Sequence, residues 1–175
     1  MARGTALLTA AAHRRGKALV AALAGAGFDV AIGSLAKLAS RVGLVEAHGR
    51  QGLALRFNVN DPQSVALALR EIESELGAPS LLVHVAPHEL VGPPERLDAC
   101  TAALLPALRA RRGAVLYLLD PGDPFPEAPA AREQESGVWV AGLRCPEEAR
   151  PETVAGAALR LLDARERVEP GVHAF

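Results

Sequence analysis

Apolar positions along this chain alternate between two rhythms. Short unbroken apolar runs read as strands: Ala6 to Thr9, Phe28 to Ile32, Leu53 to Val59, Ser80 to Val85, Ala114 to Leu119 and Val138 to Leu143. Between them the apolar residues recur at helical spacing. Leu19, Ala22, Leu23 and Ala26 mark a helix over 17–26 that Gly27 closes. Asp61-Pro62 offers an N-cap and a first-turn proline, and Val65, Leu69, Ile72 and Leu76 follow on one face. Leu97, Thr101, Leu104, Leu105 and Leu108 point inward from a helix over 95–111, where Pro106 is expected to introduce a kink. Pro151 opens a last helix with Val154, Ala158, Leu161 and Leu162 facing in. Gly171 to Phe175 reads as a final edge strand.

Strict alternation of strand and helix predicts an α/β chain, a doubly wound parallel sheet of about six or seven strands with helices on both faces. The continuous apolar character of 80–85 fits a strand covered on both sides. Ligands in such folds bind beyond the C-terminal ends of the strands, where the strand order reverses. That singles out Thr9, Asn58, His84, Asp120 and Arg144-Cys145. The stretch 120–136 carries Pro121, Pro124, Pro126 and Pro129 and is longer than the loops of compact domains usually are. The whole of 1–175 is expected to form one domain.

Composition narrows the class. The chain has 175 residues, half of them hydrophobic, and a formal net charge of -1. That is enough for one sizeable core, and it carries no basic surplus of the kind nucleic acid attracts. No apolar run is long enough to span a bilayer, and the first one passes into His13-Arg14-Arg15 without a signal-peptide pattern. A cytoplasmic protein without nucleic-acid or membrane partners is expected. Cys100 and Cys145 stand far apart without metal-type spacing and read as two reduced thiols. Lys17 and Lys37 are the only lysines.

The first strand, its loop and the next helix have the layout of a dinucleotide-binding turn. There, glycines let the backbone approach a pyrophosphate at a helix N-terminus. Of the expected glycines only Gly16 is present in Thr9-Ala10-Ala11-Ala12-His13-Arg14-Arg15-Gly16. The helix N-terminus offers free N–H groups whatever the side chains are, and arginine clamps phosphate well. Against this, a glycine turn often needs positive φ, which alanine tolerates poorly. The alternative is a loop with solvated arginines and no ligand. No acidic residue ends the second strand; Ser34 and Lys37 lie there instead. That puts NADP(H) ahead of NAD(H).

Taken together, these segments resemble the short-chain dehydrogenase/reductase family. Thr9 to Gly16 resembles its T-G-x-x-x-G-x-G loop, with Ala10 and Arg14 replacing two glycines; arginine at that second position is similar to the pteridine-reductase-like branch. Phe57-Asn58-Val59-Asn60-Asp61 resembles the D-V-T-D segment, and Leu81-Leu82-Val83-His84-Val85-Ala86-Pro87 resembles L-V-N-N-A-G. The resemblance implies a Rossmann-like three-layer α/β/α fold over nearly the whole chain. It also implies a dinucleotide contacted by Thr9, Ala12, His13, Arg14, Arg15, Gly16, Asn58, Val59, His84 and Ala86. A homodimer or higher homo-oligomer is expected on the same ground.

The departures bear on activity. The family's catalysis uses a Ser, a Tyr and a Lys, the last two spaced Y-x-x-x-K. The one tyrosine here, Tyr117, lies inside a strand, Pro121 stands four residues on, and no lysine follows Lys37. The proline-rich loop 120–136 replaces the helix that would carry them. No catalytic residue can therefore be assigned. The sequence predicts a degenerate homologue that binds NADP(H) without ordinary hydride transfer. The alternative is an atypical NADP(H)-dependent carbonyl or pteridine-type reductase in which His84 or Asp120 handles the proton. His84, His88 and Glu89 form a polar cluster without a helix to arrange a metal site, so no metal is expected. Cys145 and His84 are a candidate thiol–imidazole pair. Asp120 reads chiefly as the cap of its own turn, Arg109 to Arg112 as a helix C-terminus, and Trp139 as core or interface.

Overall fold

The structure, a computed structural model, describes residues 3–36, 38–86, 98–125, 137–169 and 171–175. In chain order the elements are β1 (Thr5–Thr9), α1 (Gly16–Gly25), β2 (Asp29–Ser34), a 3₁₀ turn (Ala39–Arg41) leading into α2 (Val42–Glu46), β3 (Gly52–Arg56), α3 (Pro62–Glu75), β4 (Pro79–His84), α4 (Ala99–Ala110), β5 (Ala114–Leu119), β6 (Trp139–Arg144), α5 (Pro151–Asp163) and β7 (Gly171–Ala174). The seven strands form one parallel sheet in the order β3-β2-β1-β4-β5-β6-β7. The doubly wound sheet read from the alternating apolar rhythm is thus the observed architecture.

Period-two alternation within each strand sorts the core into two halves. Ala6, Leu8, Ile32, Val83 and Leu116 face one way and pack against α1, α2 and α5. Leu7, Ala31, Leu82, Val115 and Tyr117 face the other way and pack against α3 and α4. β1, β5 and nearly all of β4 are buried on both faces, so their sequences run apolar without interruption.

Local chemistry accounts for the helix starts. Asp61 caps α3, its side chain accepting from the Gln63 N–H at 3.0 Å, and Pro62 occupies the first turn. Asp98 caps α4 in the same way, accepting from the Thr101 N–H at 2.8 Å. Pro106 lies inside α4. The segment 39–46 is helical although its apolar pattern is too brief to predict an element; burial of Val45 against α1 and the sheet holds it. The third strand ends at Arg56, three residues earlier than its apolar run, because Asn58 turns the chain toward α3. The Asn58 side chain accepts from Asn60 N–H at 3.0 Å, and its own N–H donates to Ser64 Oγ at 3.0 Å.

Because β1 neighbours both β2 and β4, the strand order reverses between β1 and β4. The crevice beyond their C-terminal ends is where an open α/β sheet takes ligands.

Candidate functional site

The loop from β1 to α1 forms one wall of this crevice. Ala10 adopts φ 49, the left-handed region that the missing glycine would take without strain. Backbone bonds hold it there: Ala11 N–H donates to Gly33 O at 2.9 Å, His13 N–H to Ala10 O at 3.0 Å, and Gly16 N–H to His13 O at 2.8 Å. Gly16 is required for a different reason. A Cβ at this position would run into the Ala11 carbonyl oxygen and lie 2.7 Å from the Arg41 guanidinium. Arg41, from the turn after β2, donates to that same Ala11 carbonyl. Partial burial lowers its pKa from the usual guanidinium value. The sequence pattern gave no sign of Arg41, because it lies in a segment without clear periodicity.

The two loop arginines turn away from each other. Arg14 is exposed and donates to the backbone carbonyls of Glu147 and Ala149, the latter at 3.2 Å, tying the β1 loop to the segment after β6. Arg15 has no exposed surface. Its Nη2 lies 2.5 Å from Asp120 Oδ1, beyond the end of β5, while its Nε and Nη1 have no hydrogen-bond partner among the described residues. Arg15 therefore spans the C-terminal end of β4, which lies between β1 and β5. This corrects the expectation for Asp120. Its carboxylate does not cap its own turn; Asp123 does, accepting from the Asp120 N–H at 2.9 Å and donating its N–H to the Asp120 carbonyl at 3.1 Å. The Arg144 guanidinium donates to the carbonyls of Asp120 at 3.1 Å and Asp123 at 3.3 Å.

Beneath this layer lies a buried polar network. Thr9 Oγ1 and His84 Nδ1 are 2.7 Å apart, and His84 Nε2 and Thr101 Oγ1 are 2.9 Å apart. Asp98 Oδ2 accepts from Thr101 Oγ1 at 2.7 Å and from the Tyr117 hydroxyl at 3.0 Å, and lies 3.2 Å from His84 Nε2. The rings of His84 and Tyr117 stack with centroids 4.8 Å apart. Burial alone would raise the Asp98 carboxyl. The His84 imidazole and the hydrogen bonds from Thr101 outweigh burial and hold it well below the usual carboxylate range. Burial, and then the Asp98 charge, push the Tyr117 hydroxyl well above its ordinary value, so it stays a protonated donor near neutrality. The same two causes push the Cys100 thiol far up.

Sequence reading marked Thr9 and His84 and placed Thr101 on the inner face of its helix. Asp98 was missed. Its signal is an N-cap acid three residues before Thr101, but only the tertiary structure brings Tyr117 and His84 to it.

The remaining predicted residues are dispersed. Gly16 is buried, His13 half-buried and Ala12 exposed. Asn58 and Val59 lie in the turn after β3, and Ala86 is buried just past β4. Ser34 is buried and accepts from Ala36 N–H at 3.2 Å. Lys37, His88, Glu89 and loop residues 126–136 lie outside the described residues. Cys145 is buried and donates to Leu143 O at 3.4 Å, and His84 has partners on both ring nitrogens, so the thiol–imidazole pair is not formed. Burial raises the Cys145 thiol, which further disfavours a thiolate. Trp139 is in the core. Among the described residues no group of three or more His, Cys, Asp or Glu is placed to hold a metal ion, and no helix is long and apolar enough to cross a membrane.

No family model matches the chain. A curated short-chain dehydrogenase/reductase family member, NovK of Streptomyces niveus, is 33% identical over 140 residues, covering 67% of this chain and 57% of that protein. The chain thus spans a little over half the length of this relative. Among solved structures, a 3-ketoacyl-(acyl-carrier-protein) reductase from Brucella melitensis complexed with NADH superposes with a TM-score of 0.77 at 17% identity, covering 99% of this chain and 96% of that one. A 7α-hydroxysteroid dehydrogenase complexed with NADH and 7-oxo glycochenodeoxycholic acid gives 0.78 at 18%, covering 99% and 93%. An NADH-dependent reductase complexed with NAD gives 0.77 at 12%, covering 99% and 95%. The seven-stranded parallel sheet, with its crevice between β1 and β4, is therefore the Rossmann-like fold of the short-chain dehydrogenases/reductases, and the chain resembles a curated member of that family in sequence.

Proposed function

We propose that this chain is a degenerate short-chain dehydrogenase/reductase homologue that binds a nicotinamide dinucleotide, NADP(H) in preference to NAD(H), without the usual hydride-transfer machinery. The observation that carries the reading is the β1–α1 loop. Ala10 takes the left-handed turn despite its Cβ, and Gly16 keeps the close backbone approach, so the loop retains a glycine-type path into the N-terminus of α1. That path suits a diphosphate, which the N–H groups and dipole of α1 would hold.

Two features support the choice of NADP(H). β2 ends at Ser34 without the acidic side chain that would bind an adenosine 2′-hydroxyl, and Arg41 is brought to the loop from the turn after β2. Arg14 is engaged with the carbonyls after β6. The dinucleotide, when bound, would supply or accept hydride. Among the described residues, neither Tyr117 nor His84 is placed to donate the proton that must accompany carbonyl reduction. Tyr117 is a buried protonated hydroxyl bonded to Asp98, and His84 has no exposed surface. This favours binding without turnover over the reductase alternative.

The reading is tested by titrating NADPH and NADH and following nucleotide fluorescence. NADPH is expected to bind several-fold more tightly than NADH, and carbonyl substrates are expected not to accelerate NADPH oxidation. Absence of binding at millimolar nucleotide would overturn it. The proposal includes self-association. Val172 and Phe175 are exposed on and just beyond the edge strand β7, which supports a homodimer or higher homo-oligomer. Sedimentation velocity showing only a monomer at tens of micromolar protein would remove that part.

A further inference from the structure

Arg15 is the one fully buried charged side chain at the crevice whose bonding is incomplete among the described residues. It has no exposed surface, makes one ion pair through Nη2, and leaves Nε and Nη1 without a partner. A buried unsatisfied donor is costly, and a guanidinium cannot shed its proton to escape that cost. The same residue is the N-cap position of α1, where backbone N–H groups and the positive end of the helix dipole converge. Its guanidinium ends at Asp120, so it lies over the β4–β5 half of the crevice rather than the β1–β2 half. The Asp120 side chain is 31% exposed, so the pair reaches solvent on that side. Arg144, which donates to the Asp120 and Asp123 carbonyls, adds a second cation beside it.

We propose that Arg15 anchors the substrate of this crevice, and that this substrate is a small molecule bearing a carboxylate or phosphate group, with Asp120 as the internal anion that occupies the guanidinium until the ligand arrives. The inference rests on the reading of the crevice as the ligand site, but not on dinucleotide binding. An oxyanion would satisfy the free guanidinium donors on the Asp120 side, apart from the α1 N–H groups. Asp120 competes with it for the same charge, so the resting affinity is weak.

The test is calorimetric titration of the full chain with acetate and with inorganic phosphate in chloride buffer. Wild type is expected to bind both in the millimolar range. Asp120→Asn, which keeps the side-chain shape and removes the competing charge, is expected to tighten both by about tenfold. Arg15→Gln is expected to weaken both by about tenfold or more. If Arg15→Gln does not fold by circular dichroism, the comparison of wild type with Asp120→Asn decides alone. No binding heat with either protein, or equal affinities in both, overturns the proposal. So does displacement of acetate and phosphate by saturating NADPH, since the anchor would then belong to the cofactor's diphosphate. Arg15-dependent anion binding in a chain that binds no NADPH would sink the dinucleotide reading and leave this one standing.

Discussion

Asp98 concentrates most of the buried electrostatics of this protein in one carboxylate. It caps α4, accepts from Thr101 and Tyr117, and lies 3.2 Å from His84 Nε2. Removing one partner of such a set leaves the others unsatisfied in a low-dielectric interior. Asp98→Asn is therefore expected to destabilise the fold by about 3 kcal/mol at neutral pH, measured by urea unfolding. The pH dependence has a definite sign. The folded pKa of Asp98 is depressed, so its contribution is present above the unfolded value of about 3.9 and is lost as pH falls below that toward the folded value. Wild-type stability should decline below about pH 4, and the decline should be shallower in Asp98→Asn. An acid limb of equal slope in both proteins would show that Asp98 is not the group responsible.

At the scale of elements, the β1–α1 loop shows how a glycine motif survives the loss of glycines. Ala10 accepts a left-handed conformation that costs a non-glycine residue about 1–2 kcal/mol, because its own carbonyl accepts from His13 N–H and the next N–H, of Ala11, donates to Gly33 O. Glycine there would relieve that strain but lose more entropy on folding, leaving a net gain of about 0.5 kcal/mol. Ala10→Gly is thus expected to raise Tm by about 1–2 °C, read by differential scanning calorimetry. The opposite holds at Gly16, where a methyl group meets the Ala11 carbonyl and Arg41. Gly16→Ala should lower stability by about 2 kcal/mol or more in the same measurement. A neutral effect would mean that the loop can move away from α1. The contrast is physical: Ala10 strains only its own backbone, whereas a side chain at Gly16 needs space already filled by neighbouring backbone.

At the scale of the molecule, one sheet carries two separate chemistries past its strand ends. The upper layer, Arg15 with Asp120 and Arg144, faces the crevice and keeps unsatisfied donors. The lower layer, from Thr9 to Asp98, is bonded throughout, with Thr9, His84 and Thr101 buried. Nucleotide titration reports on the crevice as a whole. NADPH binding should survive Asp98→Asn at temperatures where the variant is folded, because that carboxylate lies beneath the site rather than in it.

The sequence by itself determined the order of the strands and of the longer helices α1, α3, α4 and α5, whereas α2 and the reversal of strand order between β1 and β4 came from the fold. The strands and longer helices are written in local signals, the unbroken apolar runs and the capped helical spacings, which depend on burial of each element's own face. It also determined that no Y-x-x-x-K pair exists here, since Tyr117 is the one tyrosine and no lysine follows Lys37. What it left open were the partners of polar side chains far apart in the chain. Asp120 read as a turn cap until folding brought Arg15, 105 positions away, to its carboxylate. Asp98 read as nothing in particular until β4 and β5 delivered His84 and Tyr117 to it. A polar contact of this kind has no period and no local signature; it exists only where the packed sheet sets the strand ends side by side.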